Sequence, residues 1–176
     1  GGKVENQLCK ESTDKLQQLG FRLQLTPLML MHSALSLVMT AHSNRTDIVI
    51  GTLMANRRTV ELDHLMGMFI NTLILRTRTD FSDAFEYLEH VKQVHLSAQA
   101  NQDIPFEKIL EVVRRNSDGS PNSLFQILLT TRNEYGVLEQ GAEQQIDGVI
   151  IENYVLDDAV TKFDITIDIT MKPEGV

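Results

Sequence analysis

Three kinds of residue in this chain have types and spacing that invite chemistry: five histidines, one cysteine, and a polar pair inside an apolar run. Among the histidines none is doubled. His90 and His95 are five apart on a predicted helix, about 140° off a shared face at 3.6 residues per turn, a poor metal pair. Glu86 and His90 do share a face, but two ligands make no site. The histidines therefore read as surface residues and no metal site is expected. Cys9 has only Lys10 as a basic neighbour, and an activated thiolate needs a positive group or a helix end beside it. It reads as a spare thiol. There is no glycine-rich phosphate loop, since Gly51 and Gly67 stand alone, and no nucleophile elbow surrounds a serine. No catalytic residue is assigned.

The polar pair lies in MGMFINTLILR, 66–76. Met68, Phe69, Ile70, Leu73, Ile74 and Leu75 are apolar, and Asn71 and Thr72 interrupt them. Polar groups placed there must find hydrogen bonds or cost stability. Two readings stand side by side: the pair faces something the protein handles, or Asn71 stitches its strand to a neighbouring loop.

The elements that hold these residues follow from period and punctuation. A short amphipathic helix is expected over 11–19, ended by Gly20. Thr26-Pro27 opens a second helix, because Thr caps free amides and Pro fits the first turn. It runs to about His42, buried on most sides, with Met29, Met31 and Met39 as gap-filling core. Asp47–Thr52 is β-branched and reads as a strand, 55–66 as a polar loop, and 67–77 as a buried strand. Ser82 caps a helix to about Gln99, with Phe85, Leu88, Val91, Val94 and Ala98 as its stripe. Another begins at Pro105, with Phe106, Ile109, Leu110 and Val113 on one side. A turn-rich loop spans 114–123. Strands are expected at 124–131, 149–156 and 163–171, separated by a polar excursion at 133–147. The last alternates strictly, with Phe163, Ile165, Ile167, Ile169 and Met171 on a dry face and Asp164 on the wet one. The order predicts an α/β fold: a two-layer mixed β-sheet with packed helices.

Composition narrows the function classes. The 176 residues are 42% hydrophobic and 23% charged, an ordinary globular balance. A net charge of −8 with scattered Lys and Arg argues against nucleic acid or an anionic membrane as partner. A single cysteine excludes an internal disulfide and fits the cytoplasm. The apolar run at 27–41 is interrupted by His32, Ser33, Ser36 and Thr40, and a membrane span needs about 20 largely apolar residues.

Five blocks in order give a specific resemblance over roughly residues 26–171. They are VIGTLMANRR (49–58), MGMFINTLILR (66–76), NQDIPFEKIL (101–110), SPNSLFQILL (120–129) and TKFDITIDIT (161–170). The chain resembles the C-terminal lobe of a nonribosomal peptide synthetase condensation domain. Its motif positions here are Gly67, Phe69, Asp103, Pro105, Phe106, Phe125 and Phe163. Asn101 stands where the family usually has His, and Ser123 where it usually has Pro.

The resemblance implies one lobe of a chloramphenicol-acetyltransferase-like fold, with residues 1–176 a partial C-terminal lobe and the N-terminal lobe absent. Carrier proteins would present donor and acceptor on 4'-phosphopantetheine arms, no cofactor being bound directly, and an adenylation domain would belong to the same synthetase. Amide formation would use the family's His-His-x-x-x-Asp-Gly box, which this sequence lacks, so the chain alone is expected to be inactive. Asn71, Thr72, Arg76, Gln126 and Asp164 would line the tunnel or meet the other lobe, and 55–66 and 133–160 would cross to it. Asp103, Pro105 and Phe106 read as helix architecture more than chemistry. The rival readings are a related epimerization or coenzyme-A-dependent acyltransferase domain, and a non-catalytic condensation-like module that recruits other proteins.

Overall fold

The computed structural model describes residues 2–57, 59–115, 124–133, 144–146, 148–151 and 162–171. Its centre is a four-stranded mixed sheet. The strands are β1 (Asp47–Met54), β2 (Asn71–Arg78), β3 (Ile127–Asn133) and β6 (Ile165–Met171), in the order β2-β1-β3-β6. β1 and β2 are antiparallel, with Asp47 opposite Arg78 and Met54 opposite Asn71. β3 runs parallel to both β1 and β6. This is the mixed α/β sheet the sequence predicts.

Helices α1 (Lys10–Leu23), α2 (Pro27–Ser43) and α3 (Ala84–Ala100) pack together around Leu25, Met29, Leu30, Tyr87 and Val91. α2 covers one sheet face, where Leu28, Met31, Leu35 and Met39 meet Ile48, Ile50, Ile127, Leu129 and Ile169. α2 starts as expected: the Thr26 hydroxyl accepts from the Met29 amide at 3.2 Å. Helix α4 (Phe106–Arg115) follows α3 closely. Among the described residues no single helix is long and apolar enough to cross a membrane, and α1 with α2 passes that test only as a pair bent by 106°.

Three expected boundaries move, and the burial expected of β6 changes. Gly20 does not end α1; it is buried inside it, and a Cβ there would lie 2.8 Å from the Leu25 carbonyl oxygen. The helix ends instead at Gln24, which takes the left-handed conformation. β2 begins at Asn71, not at 67, because Asn71 is the last residue with a partner on β1. Met66 and Met68 are therefore almost fully exposed, at 101% and 90%, not buried in a strand. α3 is capped by Asp83 rather than Ser82, through bonds to the amides of Phe85 and Glu86. That turns Tyr87, Val91 and His95 inward and leaves Phe85 exposed. In β6, an edge strand, Ile169 of the dry face is buried, Ile167 and the preceding Phe163 are half-buried, and Ile165 is 47% exposed.

The polar excursion at 133–147 contains a strand, β4 (Gln144–Ile146), which pairs antiparallel with β5 (Val149–Ile151). Between them Gly148 has φ +82°, a turn geometry that costs glycine little. Segment 55–66 holds a short 3-10 turn at Val60–Leu62. Of the loop expected at 114–123, Arg114 and Arg115 belong instead to α4, while its residues 116–123, residues 152–156 of the strand expected at 149–156, and most of 133–160 lie outside the described residues.

Candidate functional site

Asn71 opens β2 where the sheet meets α4. Its Nδ2 donates to the carbonyls of Gln102 at 2.7 Å and Ile104 at 2.9 Å. Its Oδ1 accepts from the amides of Thr72 at 2.9 Å and Phe106 at 3.3 Å. An asparagine amide has two donor hydrogens and two acceptor lone pairs, and all four are used within the chain. The Phe106 amide belongs to the first turn of α4, where backbone N–H groups have no helical partner. Asn71 thus caps α4 from a neighbouring strand and fixes the 102–104 turn beside it. Of the two sequence readings, this geometry supports the stitch.

The other candidate residues are not gathered around Asn71. Thr72 is its half-buried neighbour. Arg76 stands opposite Val49, about 16 Å along the strand from Asn71 at ~3.3 Å per residue. It forms a bidentate pair with Asp47, Nε to Oδ1 at 2.9 Å and a terminal nitrogen to Oδ2 at 2.7 Å. Its guanidinium holds the Asp47 carboxyl below the ordinary value of 3.8. Both partners are exposed. Gln126 and Asp164 are exposed immediately before β3 and β6, and the Gln126 carbonyl accepts from the Ile165 amide.

Three of the motif positions come together instead as an aromatic cluster. Phe125, 2% exposed, stacks on Phe163 with centroids 5.1 Å apart and tilts against Phe106 at 5.8 Å. Gly51 of β1 lies directly beneath: a Cβ there would fall 2.2 Å from Phe125 Cε2. The glycine is a close-approach residue, and the ring takes the place of its side chain. At the loop, Arg57 lies 4.4 Å over the Phe69 ring and also donates to the Leu62 carbonyl. Gly67 packs against the Phe69 ring edge as well. Asp103 and Pro105 sit in the turn that Asn71 grips, and the Pro105 carbonyl accepts from the Lys108 amide.

An open groove of about 890 Å³ runs beside β2. Val49, Ile74, Val94 and Ile109 contribute apolar lining, and the Asp47–Arg76 pair belongs to the same lining.

The expectation of surface histidines fails for two of them. His32 on α2 is fully buried and His95 on α3 is 9% exposed. Their rings meet through Nδ1 and Nε2 at 2.9 Å, and the Thr77 hydroxyl of β2 lies 3.4 Å from His32 Nε2. Burial pushes His32 down to about 3, assisted by the nearby His95 and His90, and burial pushes His95 down to about 4. Spacing along a single helix carries no sign of this pair, because it joins two helices. Among the described residues no group of three or more ligating side chains forms a metal centre.

The sequence profile described as Condensation domain matches residues 1–175. Over 100% of the chain, 34% of residues are identical to tyrocidine synthase 3 of Brevibacillus parabrevis, of which the chain spans 3%. A four-domain nonribosomal peptide synthetase solved with AMP and glycine superposes at TM-score 0.82 over 96% of this chain, at 20% identity and 14% of its own length. The X-domain from teicoplanin biosynthesis, solved in complex with OxyB, superposes at TM-score 0.77 over 97% of this chain and 36% of its own, at 22% identity. These structures share the fold seen here.

Proposed function

The chain belongs to the condensation-domain family, and from that premise we propose that it is the C-terminal lobe of a domain that joins a donor thioester to an acceptor amine as an amide. The observation that carries this reading is the match of residues 1–175 to the family together with its alignment to peptide synthases along its whole length. Donor and acceptor would arrive on the 4'-phosphopantetheine arms of carrier proteins. Residues of an N-terminal lobe, outside this chain, would supply the histidine that handles the amine proton. The adenylation domain of the same synthetase would load the carriers, in the cytoplasm.

In this reading Thr72, Arg76, Gln126 and Asp164 face the tunnel or the other lobe; their exposure or half-burial supports that placement. Asn71 holds the turn and α4 in place behind them, as its four internal bonds support. Segments 55–66 and 133–160 are the crossings. Support for the first is its exposed apolar content, Val60 at 74%, Leu65 at 52% and Met66 at 101%, with exposed Met68 just beyond. Deleting either segment should leave the lobe folded and stop it joining its partner.

The test compares the 176-residue chain alone with the same chain extended by the upstream segment of its own gene, each supplied with loaded carrier proteins. Amide product from the extended protein only is the expected result. Product from the chain alone overturns the lobe assignment. A second reading, a non-catalytic module that recruits proteins, is favoured by the likeness to the X-domain solved with OxyB. An upstream lobe with a broken His-His-x-x-x-Asp-Gly box and no product would select it.

A further inference from the structure

Among the described residues, the contact between His32 and His95 joins two titratable rings inside the helical layer. It ties α2 to α3, and through Thr77 it ties both to the edge strand β2. One proton lies between the facing nitrogens, which are 2.9 Å apart. A further proton has two places to go, and both are opposed. Placed between the rings, it sets two N–H groups head to head. Placed on an outer nitrogen, it leaves a cation in a dry layer.

The groups around the rings offer that cation little. Thr77 faces it from β2, and Ser33 and Ser36 lie on α2 itself. On α3, the Tyr87 hydroxyl is already spent on the Ser33 carbonyl at 2.8 Å. The third histidine, His90, accepts from the Arg78 amide, with Asp80 near it at the surface. Among the described residues no carboxylate acts on either buried ring.

We propose that the His32–His95 contact is an acid-sensitive clasp, which on protonation releases α3 from α2 and from β2 while β1, β3, β6 and the aromatic cluster stay assembled. Histidines in the opened state take up protons near pH 6.5, whereas the closed pair refuses them until much lower pH. The closed state is therefore fully favoured above pH 6.5 and loses ground as pH falls below it. Each proton taken up on opening raises the opening equilibrium up to tenfold per pH unit, so the pair together reaches about 100-fold.

The test is amide hydrogen exchange on the chain between pH 7 and pH 5, corrected for intrinsic rates, with ring nitrogen NMR alongside. Opening of α3 should rise at least tenfold relative to β3, and both rings should stay neutral in the folded signal. The double substitution His32→Leu with His95→Leu should make the α3 to β3 ratio independent of pH. A wild-type ratio that does not move, rings that titrate near 6.5, or an unchanged pH response in the double variant would each overturn the clasp. If the double variant fails to fold, the wild-type ring titration and exchange ratio decide the matter alone.

Discussion

The same strands build both faces of the sheet, and the two faces are finished in different ways. Toward α2, β1 and β2 present Ile48, Ile50, Leu73 and Leu75, and aliphatic helix residues fill the space above Ile48 and Ile50. Polar groups there are mostly spent on one another: Tyr87 on Ser33, His32 on His95. On the other side Phe125 lies on Gly51, and Val49, Ile74 and Arg76 border an open groove. The contrast teaches that a face covered by its own helices is closed by volume, whereas the second is held by a few point contacts, a glycine under a ring and an asparagine under a helix. Point contacts concentrate their stability in single residues. Spread-out aliphatic packing shares it among many.

The largest effect should come from the aromatic cluster. Phe125→Ala should cost about 4 kcal/mol in urea unfolding, and Gly51→Ala about 3 kcal/mol, because the added methyl has no room. In the double variant the methyl enters the space the ring vacated. The combined loss should then fall short of the sum by at least about 1 kcal/mol. Strict additivity would show that the ring and the glycine do not depend on each other.

Next is Asn71→Ala, which should cost about 2 kcal/mol, since Gln102, Ile104 and Phe106 each lose a partner. In an assembled domain its turnover per folded molecule should hold. A fall in turnover with unchanged melting would return Asn71 to the substrate side. On the packed face one change should run the other way. The Thr52 hydroxyl is buried without a hydrogen-bond partner, so Thr52→Val should stabilise by about 1 kcal/mol, read as a higher melting temperature. A loss there would mean the hydroxyl has a partner in solution.

The smallest effect belongs to the groove face. Asp47→Asn removes an exposed pair with Arg76, and such pairs contribute little. The small difference should shrink further in high salt. Because Arg76 holds the Asp47 carboxyl low, what the pair gives is present above about pH 4 and fades as pH falls through the lowered value. A large, salt-insensitive loss would show that the pair is shielded in the assembled protein.

Much of the fold was legible before any coordinates. A β-branched run located β1, alternation located β6, and Thr26-Pro27 placed the start of α2 correctly. A boundary slipped where another strand had the deciding contact, as at Asn71 opposite Met54. Gly51 offered a signal, a glycine inside a strand pattern, and that pattern marks close backbone approach. The ring above it could not be named from spacing.

The sequence by itself determined the types of the sheet strands and helices, the mixed sheet and, through five ordered blocks, the family. These depend on neighbours a few residues apart or on the order of segments, both written directly in the chain. Only the tertiary structure decided that Asn71 caps α4 across 35 residues, that His32 meets His95 across 63, and that Phe125 covers Gly51. Such contacts are set by how whole elements pack. A residue's partner across a packed interface depends on crossing geometry and sheet register, and no local period records either.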